Sequence, residues 1–160
     1  MNNYLVESDI ELAAIEWLQE AGWRYMEGPD VHRSLKKVVL EDLLDNFLRK
    51  KYPHLPEKTL HEALQAFLYN AGTDLDTRNH NFHLKLSKGI DISWKDEQGQ
   101  EHFEHLYCVD YDNPLNNDFL AVNQFSIEGK NNRRPDLILF VNGLPLVLFE
   151  FKNLFDTEAT

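Results

Sequence analysis

The sequence is short of the residues that mark several protein classes. It has one cysteine, Cys108, in 160 residues. A single thiol closes no internal disulfide, so a small disulfide-stapled scaffold is excluded and a reducing, cytoplasmic setting is expected. Long apolar runs are also missing. The run from Leu137 to Val141 stops at Asn142, far short of the roughly 18 residues that a membrane-spanning helix needs, so no membrane partner is expected. Met1 to Glu7 has neither a basic start nor an apolar core, so no signal peptide is expected. Positive charge is scarce: 16 Lys and Arg against 27 Asp and Glu leave a net charge of −11. Nonspecific grip on DNA comes mostly from cations that displace counterions from phosphates. A chain this acidic needs local basic patches, or neighbouring domains, to hold nucleic acid. There is no repeat, no internal linker and no Gly-x-Ser-x-Gly elbow. Glu128-Gly129-Lys130 lacks the spacing of a Walker phosphate loop.

What is present suffices for a packed core. Hydrophobic residues make up 42% of the chain, and its length suits one domain over 1–160. Ser8 and Glu11 have capping-box spacing, and Ile10, Ala13, Ala14, Trp17, Leu18 and Ala21 follow at helical intervals up to Gly22. A second helix is expected over Lys36–Lys50 and a third over Glu57–Asn70, separated by Pro53 and Pro56 and closed by Gly72. Beyond Gly72 the period changes. Gly89–Trp94 and Glu101–Val109 read as a hairpin, Tyr111–Asp118 as a loop, and Phe119–Ile127 as a strand. After the basic loop Glu128–Arg134, two apolar strands, Asp136–Val141 and Leu146–Lys152, flank Asn142-Gly143, a strong hairpin signal. The fold class expected is mixed α+β or α/β, with a mostly antiparallel sheet. The last strand looks the most buried of all, so something is expected to pack after it.

The chemistry gathers at that last hairpin. Glu150 and Lys152 are two apart, so a strand projects them to one face. The hairpin folds Asp136 back towards them if the register is right; a slip of one residue would turn it to the opposite face. An acid and an amine at the end of so apolar a strand are costly unless paired or functional. Two converging carboxylates repel, and a hard divalent cation such as Mg²⁺ relieves this while keeping part of its water shell. The Phe151 carbonyl is a candidate further ligand. Such an ion activates water and stabilises charge on an attacked phosphate, and Lys152 would orient that water or stabilise the developing charge. The plain alternative is that Asp136 is a turn residue after Pro135, with Glu150 and Lys152 an ion pair that protects an edge strand. Lys130, Arg133 and Arg134, just before Asp136, are the candidate DNA-binding cations. His80, His83, His102 and His105 form two H-x-x-H pairs without cysteines and read as solvent-facing. Asp110 and Asp112 read as turn residues, and Trp17 and Trp23 as core.

The stretch from Arg134-Pro135-Asp136 through Asn142-Gly143 to Glu150-Phe151-Lys152-Asn153 resembles the PD-(D/E)xK nuclease core of type I restriction enzyme R subunits. Glu7, Glu11, Leu18 and Gly22-Trp23 resemble that family's opening helix. Asn113-Pro114, Asn123-Gln124-Phe125 and Gly129 resemble its middle region. The resemblance implies a restriction-endonuclease-like core, a central mixed sheet flanked by helices. It implies Asp136 and Glu150 as Mg²⁺ ligands, Lys152 as catalytic, and Glu11 as a candidate further ligand beside its capping role. It implies Mg²⁺-dependent cleavage of double-stranded DNA within a complex that includes methyltransferase and specificity subunits, with ATP used only by motor domains outside this chain. The family's glutamine–tyrosine motif after the lysine strand is not found before Thr160. The alternatives are a docking or DNA-binding module of the same fold that does not cut, or a nuclease of another DNA-processing system.

Overall fold

A computed structural model of the protein describes residues 7–152. The elements are α1 (Glu7–Glu20), β1 (Arg24–Glu27), α2 (Glu41–Lys51), α3 (Glu57–Leu68), α4 (Leu75–Lys88), β2 (Ile90–Lys95), β3 (Glu101–Leu106), β4 (Phe119–Asn123), β5 (Leu137–Val141) and β6 (Leu144–Phe149). They form two compact units, one from residues up to Val38 together with those from Phe119 onward, the other from Val39–Asp118. The class is mixed α/β, as expected for a restriction-endonuclease-like core. The strands form two sheets, where the sequence suggested one.

In the first unit the strand order is β1-β4-β5-β6. β1 runs parallel to β4, and the other pairs are antiparallel, so the sheet is mixed. The central strands carry unbroken apolar runs, which suits burial on both faces: Leu137, Ile138, Leu139 and Phe140 are all buried. α1 lays Ile15 against Ala121, Leu137 and Leu139, with Ala14, Leu18, Trp23, Phe149 and Phe151 around them. Two expectations for α1 fail. Ser8 does not begin the helix, since Glu7 is already helical, and Trp17 is 70% exposed. The inward stripe runs through Ala14, Ile15 and Leu18, which turns Trp17 outward. The first tryptophan is thus not core, whereas Trp23 packs on Phe119 with ring centroids 5.0 Å apart.

The terminal hairpin turns where expected, with φ of 51° at Asn142 and 80° at Gly143. Its arms differ from the expected bounds. β5 begins just after Asp136, and β6 runs over Leu144–Phe149, so Glu150, Phe151 and Lys152 follow its end. A register shift between Leu139 and Phe140 leaves Leu146 as an extra residue in β6, and Pro145 is tolerated because bulges and edges spare its missing N–H. Among the described residues β6 is an edge strand, which corrects its reading as the most buried. Leu146, Val147 and Leu148 are 37%, 44% and 55% exposed. β4 ends at Asn123 rather than Ile127 because Gln124 takes φ 51° and turns the chain.

In the second unit, α2 buries Leu44, Phe47 and Leu48, and α3 buries Leu60, Ala63, Leu64 and Phe67. α2 starts five residues later than expected, at Glu41 rather than Lys36. α4 was not anticipated. Asp74 caps it by accepting from the Thr77 amide at 2.8 Å, and Gly89 at φ 72° closes it. β2 and β3 pair from Ile90↔Leu106 to Lys95↔Glu101 as a separate two-stranded sheet. Among the described residues no helix is long and apolar enough to cross a membrane.

Candidate active site

Asp136 stands at the mouth of the terminal hairpin because Pro135 is buried beside it and the β5 run begins at the next residue. Its backbone carbonyl accepts from the Gln124 amide at 2.9 Å. Its carboxylate Oδ2 accepts from the Phe151 amide at 2.7 Å. Leu137 and Phe149 form the end pair of the β5–β6 ladder, so Asp136 and Glu150 lie one residue beyond it, one on each arm. Phe149 and Phe151 stack, with centroids 5.8 Å apart and planes at 12°, and both pack against the core under α1. Alternation sends Glu150 and Lys152 away from that core, and both are exposed.

Glu11 does something the capping reading missed. Its Oε1 accepts from Asn123 Nδ2 at 3.0 Å and its Oε2 from Gln124 Nε2 at 3.4 Å. This contact joins helix and sheet at Gln124, whose amide donates to the Asp136 carbonyl. The sequence held a signal for it, since Asn123-Gln124 is a polar pair ending an apolar strand. Asp136 thus lies at the Phe151 backbone, between Glu150 and Lys152 in the chain, and Glu11 lies at the end of β4.

Among the described residues no three His, Cys, Asp or Glu side chains gather as a metal-binding group. Mg²⁺ does not require three. It takes one or two carboxylates, adds carbonyl oxygens and keeps waters. Asp136, with one oxygen oriented by a backbone amide, and the neighbouring exposed Glu150 match that donor chemistry. Lys130, Arg133 and Arg134 are exposed on the approach to Asp136.

Other candidates resolve as structure. Asp110 is buried; it accepts from Lys51 Nζ at 2.8 Å, Asn116 Nδ2 at 3.0 Å and the Asn113 amide at 3.0 Å. These contacts, Lys51 first, hold its carboxyl far below the usual carboxylate range. His80 and His83 are exposed. His102 meets Asp96 at 2.8 Å and stacks on Trp94, while His105 meets Asp91 at 2.6 Å. Cys108 is buried, and burial pushes its thiol up to about 12, which makes it a poor nucleophile.

Comparison with known proteins adds a family to this geometry. Residues 4–160 match the family described as "Type I restriction enzyme R protein N terminus". The chain is similar to the type I restriction enzyme HindI endonuclease subunit of Haemophilus influenzae, 37% identical over 159 residues, which is 93% of this chain and 15% of that subunit. It is also similar to the type I restriction enzyme EcoprrI endonuclease subunit of Escherichia coli, 26% identical over 154 residues, 94% of this chain and 45% of that protein. The chain thus spans about 15% of the length of the first of these relatives.

Proposed function

Because the chain belongs to the family of type I restriction enzyme R protein N termini, we propose that residues 1–160 serve as the endonuclease region of such a subunit and cut duplex DNA with Mg²⁺. The observation that carries this reading is the Asp136 contact to the Phe151 amide at 2.7 Å, which ties one acid of the set to the backbone between the other acid and the lysine. Asp136, Glu150 and the Phe151 carbonyl would hold the ion, with Glu11 as a candidate further ligand. A Mg²⁺ bound there would supply the Lewis acidity that lowers the pKa of a water and neutralises charge on the attacked phosphate. The protein's own part is positional. The Phe151 amide fixes the Asp136 carboxylate, and the Phe149–Phe151 stack anchors the segment from the core side. Lys152, exposed next to Phe151, would supply the ammonium that stabilises the developing negative charge. Methyltransferase and specificity subunits would deliver the DNA, and ATP would be used by motor domains outside residues 1–160.

The test uses the full-length subunit assembled with its partner subunits. Lys152→Ala and Asp136→Ala should each lower DNA cleavage about a hundredfold or more, with ATP hydrolysis and assembly near wild type. Cleavage at the wild-type rate by either variant would sink the assignment. Loss of assembly with cleavage reduced only in proportion would favour a docking module of the same fold.

A further inference from the structure

The first unit concentrates positive charge against the acidic balance of the whole. Residues 33–37 and 128–134 contain six cations, Arg33, Lys36, Lys37, Lys130, Arg133 and Arg134, and one acid, Glu128, in a chain of net charge −11. The two stretches are distant in sequence and adjacent in the fold. The Glu128 amide donates to the Leu35 carbonyl at 2.9 Å, and Ile127 and Arg133 exchange backbone hydrogen bonds of 2.7 and 3.0 Å that close the loop between them. Arg33 fastens them together. Its guanidinium lies over the Phe125 ring, 3.5 Å from the centroid. It also donates to the Lys37 carbonyl at 2.8 Å, the Ser34 carbonyl at 3.1 Å and the Ser126 carbonyl. Arg33 is therefore a positioning residue. The side chains of Lys36, Lys37, Lys130, Arg133 and Arg134 are exposed. Leu35, Ser126, Glu128, Asn132, Arg133 and Arg134 border an open cleft of about 340 Å³.

We infer that residues 35–37 and the loop 126–134 form one ledge that takes the sugar-phosphate backbone of duplex DNA, with Lys36 supplying a contact beyond those of Lys130, Arg133 and Arg134. This rests on the nuclease reading above and adds a segment that the sequence did not single out. The chemistry fits a polyanion. Arginine forks match phosphate oxygens, lysines add point charges, and Asn and Ser side chains are common phosphate donors that carry no base information. The cations are spread along two strips of chain, so successive phosphates suit them better than one small anion. Arg134 lies two residues before Asp136, so a strand held on the ledge runs past the candidate cleavage site.

The test is a titration of the 160-residue chain with duplex DNA in EDTA, from low to physiological salt, which reads binding apart from cleavage and from any metal. Each phosphate contact contributes about −0.9 to the slope of log K against log salt. The variant Lys36→Gln should reduce the slope magnitude by about 0.9 and weaken binding at ~50 mM salt by about tenfold. Unchanged slope and affinity in that variant would overturn the ledge, even if Arg133→Gln/Arg134→Gln weakened binding. Wild type without salt-dependent binding at low salt would overturn it too. Lys58→Gln/Lys95→Gln, exposed lysines of the second unit, should bind like wild type; an equal loss there would mean diffuse attraction and no ledge. Neither failure touches the nuclease reading, which stands or falls on cleavage by the Lys152→Ala and Asp136→Ala enzymes.

Discussion

The two compact units place some of their charged residues differently. In the second, charges close on one another. Arg49 meets both Asp45 and Glu57 at 2.6 Å, and Lys51 meets the buried Asp110 at 2.8 Å. His54, His102 and His105 lie 2.7, 2.8 and 2.6 Å from Glu104, Asp96 and Asp91. In the first unit, Lys130, Arg133, Arg134, Glu150 and Lys152 are exposed. Arg49-Lys50-Lys51 is as basic a run as Arg133-Arg134, yet its arginine and one lysine are committed to carboxylates of their own unit. Density of charge along a sequence therefore does not separate structural charge from charge presented to a ligand, whereas the partners of each group do.

The largest effect on folding should come from opening the closed network. Asp110→Ala removes the buried acceptor shared by Lys51, Asn116 and the Asn113 amide, and these part-buried bonds are lost together. Urea unfolding should show its midpoint falling further than for any other substitution considered below. Acid should act in the same direction. The folded pKa of Asp110 lies below its unfolded value of about 3.9, so its contribution is present above that value and is lost as pH falls towards the folded pKa. The wild-type midpoint should drop between about pH 5 and pH 2 more than that of Asp110→Asn. Equal acid sensitivity of the two proteins would mean that the closed network contributes little.

An intermediate effect comes from two glycines, one in each unit. A Cβ on Gly28 would strike the Gln124 carbonyl oxygen and come within 2.8 Å of the Asn123 oxygen. One on Gly89 would strike the Leu106 carbonyl oxygen at a φ of 72°. Either alanine should cost about 1–3 kcal/mol, as overpacking does. The consequences should differ. Asn123 and Gln124 hold Glu11, so Gly28→Ala should also weaken Mn²⁺ uptake measured by calorimetry on the folded protein. Gly89→Ala should leave it unchanged. Equal Mn²⁺ binding by wild type and Gly28→Ala would remove Glu11 from the proposed ligand set.

The same contrast explains what was legible beforehand. The terminal hairpin, α3 and the β2–β3 pair follow from period and turn chemistry, because their signals are local. Asn142-Gly143 set the turn, and Leu60, Ala63, Leu64 and Phe67 set a helical stripe. α4 escaped because it buries no side chain completely, so only its ends, Asp74 and Gly89, mark it. β1 escaped because four residues pairing with β4 carry no period of their own. β6 misled because its apolar run matches that of β5, and whether such a strand is central or at an edge is decided by sheet order. Asp136, Glu150 and Lys152 stood out as charges on an apolar hairpin. Glu11's contact with β4 and the fastening of Arg33 to Ser126 depend on long-range packing, and spacing alone did not show either.

The smallest effect tests the exposed end of the closed network. His105 Nδ1 lies 2.6 Å from Asp91 and Nε2 lies 2.5 Å from the Lys88 carbonyl. Both partners are acceptors, so both ring nitrogens must donate, and only the imidazolium does that. The Asp91 contact, and then the Lys88 carbonyl, raise the His105 pKa above its usual 6.5. A raised folded pKa contributes stability that is complete below the unfolded value and is lost as pH rises through the folded one. Solvent screens the pair, because Asp91 is 92% exposed, so the gain should be no more than a few tenths of a kcal/mol. Unfolding midpoints of wild type and Asp91→Asn should therefore differ slightly at about pH 6 and converge by about pH 9, with the difference fading at high salt. A gap that widened with pH would mean that the neutral imidazole is the form the fold prefers, and that charge pairing in the second unit does not reach its exposed hairpin.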